Sequence, residues 1–146
     1  MNKIPIEVLR AFSEVRELTC RCVLISTYGA IQIGLGGCVT YLLGGKHPKE
    51  RCEVELGTFG EVWSYHSSNG MRLNGHEVER DLIGQKIETV QMTDAGLLII
   101  ATSGAELQVA RRTSSDDIFY VHFSTLGMSA FLDSNLSWSI EMEGES

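Results

Sequence analysis

The chain has 146 residues, 43% of them hydrophobic and 21% charged, with a formal net charge of −7. That composition excludes a disordered polar chain and suits one domain with a sizeable core, and no apolar run approaches the ~20 residues of a membrane-spanning helix. The acidic excess also argues against direct nucleic-acid binding, which draws on basic surface.

Pro5 to Leu18 is predicted as an amphipathic helix, with Ile6, Leu9, Phe12 (or Val8) and Val15 at three-to-four spacing and charged residues between them. From Arg21 the pattern turns to strands. Val23–Thr27 and Ala30–Gly34 flank a turn at Tyr28-Gly29, and Gly36-Gly37 is expected to turn the chain again into Cys38–Leu43. Gly44 to Arg51 is charged and is expected to be a loop. Cys52 to His66 is expected to hold one or two strands, with Phe59, Glu61, Trp63 and Tyr65 sharing one face by period-two alternation.

Turn signals follow at Ser67–Gly70 and Asn74-Gly75, and Gly75–Asp81 is polar enough for a loop or short helix. Ile87–Thr93, Leu97–Ala101 and Glu106–Ala110 then form a meander with turns at Asp94–Gly96 and Ser103-Gly104. Leu97–Ala101 is apolar on both faces, which places it inside its sheet. Ile118–Ser124 and Leu136–Glu143 complete the set. In the last, Leu136, Trp138, Ile140 and Met142 are expected to face the core, with Ser137, Ser139, Glu141 and Glu143 facing water.

These elements describe a single domain over residues 1–146, of α+β class and mainly antiparallel β. The expected architecture is two packed meander sheets, or a partly closed barrel, with an N-terminal helix. The spacing of Val23–Tyr41 echoes that of Val90–Val109, which raises the prospect of an internal duplication.

Motifs for chemistry are missing. Cys20 and Cys22 are spaced C-x-C, which on a regular strand points both thiols one way, and neither they nor the scattered His47, His66, His76 and His122 match zinc spacings. No metal or cofactor is expected. With the charges of Glu7, Arg10 and Glu14 breaking any signal-peptide core, the four cysteines are expected as reduced thiols in the cytoplasm. There is no G-x-S-x-G elbow, and the set Ser115, Asp116 and His122 is one that any serine-rich chain supplies. No catalytic residue is expected.

Charge is distributed unevenly. Residues 1–60 hold seven basic and six acidic residues, whereas residues 61–146 hold five basic and thirteen acidic. No Lys or Arg follows Arg112, while Asp116, Asp117, Asp133, Glu141, Glu143 and Glu145 all do. An acidic field attracts basic proteins, and large aromatics anchor protein interfaces. Candidate partner-binding residues are therefore Asp116, Asp117, Asp133, Glu141 and Glu143, together with Glu61, Trp63 and Tyr65.

In its short length, its one helix with many strands, its acidic balance and its lack of a catalytic motif, the chain resembles the bacterial immunity proteins of contact-dependent growth inhibition. The run from Leu82-Ile83-Gly84-Gln85 through Arg111 is similar to meanders in small bacterial domains. The resemblance implies a cytoplasmic protein that binds a basic toxin nuclease domain, of the ribosomal-RNA-cleaving kind, and covers its substrate-binding or active-site surface. It assigns no residue a role. The competing reading is a β-rich module that binds a small ligand or single-stranded nucleic acid, with Trp63, Tyr65 and Tyr120 as stacking platforms.

Overall fold

Period-two alternation governs most of the chain, and the strands it specifies pair into two antiparallel sheets that bury one face each. The computed structural model describes residues 3–15, 18–43, 47–114 and 116–143, without the side chains of 38–51. Arg16 and Glu17 of the expected helix, Gly44–Lys46, Ser115 and Glu145, for which the sequence raised expectations, lie outside the described residues.

Helix α1 (Ile6–Glu14) opens the fold and is followed by β1 (Cys20–Ile25), β2 (Ile31–Leu43) and β3 (His47–Thr58). Next come β4 (Trp63–His66), β5 (Arg72–Leu73), helix α2 (His76–Leu82), β6 (Ile87–Thr93), β7 (Gly96–Ala101) and β8 (Glu106–Ala110). Strands β9 (Asp117–Phe123), β10 (Met128–Asp133) and β11 (Trp138–Met142) complete it. One sheet has the order β1-β2-β3-β9-β10-β11 and the other β5-β4-β8-β7-β6. The sheets are not closed into a barrel. Among the described residues no helix is long and apolar enough to cross a membrane.

A single buried cluster joins the two inner faces. Ile33, Leu35, Leu56, Phe119, Val121 and Leu132 come from the six-stranded sheet and meet Tyr65, Leu97, Ile99, Leu107 and Val109 of the other. At roughly 2 kcal/mol for each fully buried large apolar side chain, this layer is the main force holding the sheets together. One corner is also hydrogen-bonded, since Cys20 N–H donates to the Gln85 carbonyl at 2.8 Å and Gly84 N–H to the Cys20 carbonyl at 2.8 Å.

Several expectations need correction. The helix buries Val8 and Ala11 and sets Phe12 edge-on against Phe123 at 5.0 Å, while Ile6 and Leu9 are exposed. The apolar stripe therefore runs through Val8, Ala11, Phe12 and Val15, and leaves out Ile6 and Leu9. Gly36-Gly37 does not turn the chain: β2 runs on, and the pair sits where the β2–β3 register shifts between Leu35 and Cys38. A bulge admits an extra residue without ending a strand, and glycine tolerates its φ of +81° at Gly36. With that turn gone, the echo between Val23–Tyr41 and Val90–Val109 loses its second turn.

His47–Arg51, expected as loop, is strand because it pairs with Val39–Leu43 of the prolonged β2. Strand β10 has no counterpart among the expected strands. Its buried residues alternate in a short run, Met128, Ala130 and Leu132, with small Ser129 between, which masks the pattern. In β11 the inward side is only partly covered. Trp138 packs edge-on against Phe119 at 6.2 Å, but Ile140 and Met142 are exposed at the rim of the sheet.

Candidate protein-binding face

Because inward residues of the six-stranded sheet are consumed by the core, the residues between them form its outer face, and cross-strand register aligns these in rows. One row runs Gln32, Gly57, Tyr120, Phe131 and Ser139. The next runs Gly34, Glu55, His122, Ser129 and Glu141.

The first row is aromatic at its centre. Phe59, just past the end of β3, lies 5.4 Å from Tyr120 and 6.4 Å from Phe131 between ring centroids. Phe59 is 39% exposed, and Tyr120 and Phe131 are half-buried, so the cluster presents ring surface to solvent. Gly57 makes this possible: a Cβ there would stand 2.8 Å from the Tyr120 hydroxyl and 2.6 Å from the Ile31 carbonyl oxygen. Burial, and then the nearby Glu55, hold the Tyr120 phenol above its usual pKa.

The second row is polar and acidic. His122 Nδ1 stands 2.7 Å from the Ser129 hydroxyl, and its Nε2 lies 3.7 Å from a carboxylate oxygen of Glu143. Glu141 sits across the ladder from Ser129, and Glu55 across from His122. Glu55 and Glu143 thus neighbour the imidazole, and Glu141 lies one strand further on, in the row next to the aromatic cluster. Arg112 is a nearby cation, and it donates to the Phe59 carbonyl.

Serine, imidazole and carboxylate in a line invite comparison with nucleophilic sites. Here they lie on a sheet face whose β10 backbone is paired on both sides with β9 and β11. Those ladders engage the amides that an oxyanion hole would use. His122 and Asp116 lie near opposite ends of β9, about 20 Å apart along the strand, so they form no joint site. Among the described residues no group of three His, Cys, Asp or Glu is placed to hold a metal ion.

The structure divides the residues singled out from sequence. Glu141 and Glu143 meet on the outer face with Glu55 and His122. Asp116, Asp117 and Asp133 gather at the other end of β9 and β10, where Asp133 is the register partner of Asp117. The Asp133 carboxylate accepts the N–H groups of Asn135 at 2.9 Å and Ser137 at 3.0 Å, and Asp116 accepts the Ser114 hydroxyl at 3.2 Å. The carboxylates of Asp116 and Asp133 thus organise turns.

Of Glu61, Trp63 and Tyr65, the first is exposed, the second partly buried and the third buried. Tyr65 is 1% exposed, with its hydroxyl donating to Asp81 at 2.5 Å. Trp63 is partly buried against the core, because β4 turns its odd-numbered residues inward toward Val109 and Leu107. Phe59 parts company with them, since the chain passes from one sheet to the other between Thr58 and Trp63. Phe59 and Phe131 were not among the binding candidates that the sequence suggested. The signal for Phe131 is its place in β10, whose alternation is short and masked by small residues.

On the outer face of the five-stranded sheet there is an open depression of about 570 Å³, lined by Glu61, Ser64, Arg72, Leu98, Gln108 and Arg111 among others. Comparison with family models, curated proteins and solved structures finds no match to the chain.

Proposed function

We propose that this protein is an immunity-type inhibitor that binds a basic toxin nuclease domain, delivered by contact-dependent inhibition, through the outer face of its six-stranded sheet. The observation that carries this reading is the half-exposed aromatic cluster of Phe59, Tyr120 and Phe131 with Glu55, Glu141 and Glu143 beside it. Aromatic side chains at the centre of a contact supply affinity once they are desolvated, and surrounding carboxylates steer a cationic partner and reject anionic ones. A nuclease needs a cationic surface to hold phosphates, so an acidic sheet laid over that surface blocks its substrate. On this reading the protein carries out no chemistry and requires no cofactor.

The test is association with the nuclease domain of a toxin encoded beside this protein, measured at low and high salt. The expected outcome is tight binding, with an association rate that falls steeply as salt rises, and protection of cells that express the toxin domain. An association rate indifferent to salt, or protection undiminished when Phe131→Ala is combined with Glu141→Lys and Glu143→Lys, overturns the proposal.

A second reading rests on the depression of about 570 Å³, a size suited to a small molecule. Arg72 and Arg111 at its wall favour an anionic compound. Thermal-shift measurements with small carboxylates and phosphates discriminate: a concentration-dependent rise in Tm, lost in Arg72→Ala, favours this reading over the first.

A further inference from the structure

Strands β2 and β3 outlast their neighbours. β1 pairs with β2 only from Ile31 to Leu35, and β9 pairs with β3 only from Val54 to Thr58. From the pair Cys38 and Cys52 outward, the two strands have each other as ladder partners and form a two-stranded arm. An isolated hairpin is marginal in water, so what happens at its root matters.

That root is rich in sulfur. Cys52 is disulfide-bonded, which corrects the expectation of four reduced thiols, whereas Cys20 and Cys22 carry thiols. The two thiols do not point the same way, because the β1–β2 register shifts between them. Cys20 turns into the core, fully buried, and donates to the Cys22 carbonyl at 3.6 Å. Burial, with Cys22 adding to it, pushes its pKa up to about 12, so this thiol stays protonated.

Cys22 is half-buried, and its sulfur reaches over Gly34 of β2. A Cβ on Gly34 would stand 2.6 Å from the Cys22 sulfur and equally 2.6 Å from the Cys52 sulfur. The two sulfurs therefore share the space that the glycine leaves open, one a thiol and the other half of a disulfide.

We propose that Cys22 and Cys52 form a thiol–disulfide exchange site at the root of the β2–β3 arm. The Cys22 thiol gives its proton to solvent, and the thiolate attacks the Cys52 sulfur. The Cys22–Cys52 bond forms as the present disulfide bond of Cys52 breaks, and the displaced sulfur leaves as a thiolate that takes a proton from solvent. One disulfide and one thiol enter and one of each leaves, so no external oxidant is needed. The exchange links β1 to β3 across the glycine of β2 and removes from the arm whatever constraint the original bond supplied.

The experiment uses the full chain, equilibrated in a glutathione buffer, trapped with N-ethylmaleimide and mapped by tryptic mass spectrometry without reduction. Arg21 separates Cys20 from Cys22, so trypsin assigns these two thiols to different peptides, and a second digestion with chymotrypsin, which cuts after Tyr28, separates Cys22 from Cys38. The expected result is a Cys22–Cys52 linked peptide in the wild-type monomer, retained in Cys20→Ser and lost in Cys22→Ser. In Cys38→Ser, which removes the ladder partner of Cys52, it becomes the principal linkage. Absence of the Cys22–Cys52 peptide from the wild type, or equally frequent linkage of Cys20 to Cys52, overturns the proposal. The wild-type and Cys20→Ser measurements are decisive by themselves, so the test stands even where Cys38→Ser fails to fold.

Discussion

The indole N–H of Trp63 donates to the carbonyl oxygen of Gly29 at 2.6 Å, joining strand β4 of one sheet to the β1–β2 turn of the other. Gly29 adopts a φ of +85°, and a Cβ there would stand 2.9 Å from the Cβ of Glu61. Turn, glycine and indole therefore fit as a unit. Trp63→Phe keeps a ring against the core but removes the donor. The expected loss is about 1 kcal/mol, seen as a fall of about 2–5 °C in Tm, with the far-UV spectrum unchanged.

Tyr65 gives stability a pH dependence on the alkaline side. Burial, and secondarily its hydrogen bond to Asp81, hold the phenol well above the usual value of 10.0. The folded protein therefore keeps a proton that the unfolded chain releases. This contribution is complete below about pH 10 and is lost as pH rises toward the folded pKa. Cys20 and Tyr120 are shifted the same way, Cys20 from 9.0 to about 12. Urea unfolding from pH 8 to 11 is expected to show declining stability. In Tyr65→Phe the decline is shallower without vanishing, while stability at neutral pH is about 1–2 kcal/mol lower.

Much of the architecture was legible in the residues because alternation and turn chemistry are local. The hairpin β6–β7 and the strand β8 follow from apolar runs broken by Asp94–Gly96 and Ser103-Gly104. What was hidden depended on partners distant in sequence. Gly36-Gly37 has turn chemistry, yet β3 continues to pair beyond it and makes it a bulge. Tyr65 beside Glu61 reads as an exposed anchor until β8 and Asp81 enclose it. The acidic bias of the second half was visible, but its division between turn carboxylates and face carboxylates is a matter of register. Glu55, in the half without acidic excess, joins the face only because β3 pairs with β9.

Asp133 illustrates the division. Its carboxylate accepts two backbone N–H groups at the β10–β11 turn, next to Leu136, which is 7% exposed and held at a φ of +62°. A non-glycine residue in the left-handed region is strained, and the carboxylate helps to hold it there. Asp133→Ala is expected to lower stability by about 1–2 kcal/mol in chemical denaturation. On the proposed function it leaves the association rate with a basic partner nearly unchanged, in contrast to the carboxylates of the outer face.

Gly57 links the fold to that face. A methyl group there meets the Ile31 carbonyl, which is backbone and cannot yield, as well as the Tyr120 hydroxyl. Gly57→Ala is expected to destabilise by about 1–3 kcal/mol and to displace the Tyr120 ring. Near-ultraviolet circular dichroism would register the ring movement even where the fold survives. An unchanged aromatic spectrum and Tm would mean that β2 and β3 separate freely at this point.

The aromatic cluster and the carboxylates beside it are expected to act on different rate constants. Glu141 and Glu143 lie on and just past the edge strand and are largely hydrated, so they act at a distance on an approaching partner. Glu141→Lys with Glu143→Lys should cut the association rate about tenfold at low salt, flatten its salt dependence and alter dissociation little. Phe131 is half-buried and packs near Phe59, so its value appears only when a partner excludes water from it. Phe131→Ala should speed dissociation by about 10–100-fold with association nearly constant. Surface plasmon resonance with the basic nuclease domain separates the two effects. If both variants act only on dissociation, the carboxylates make contacts within the interface and do not steer.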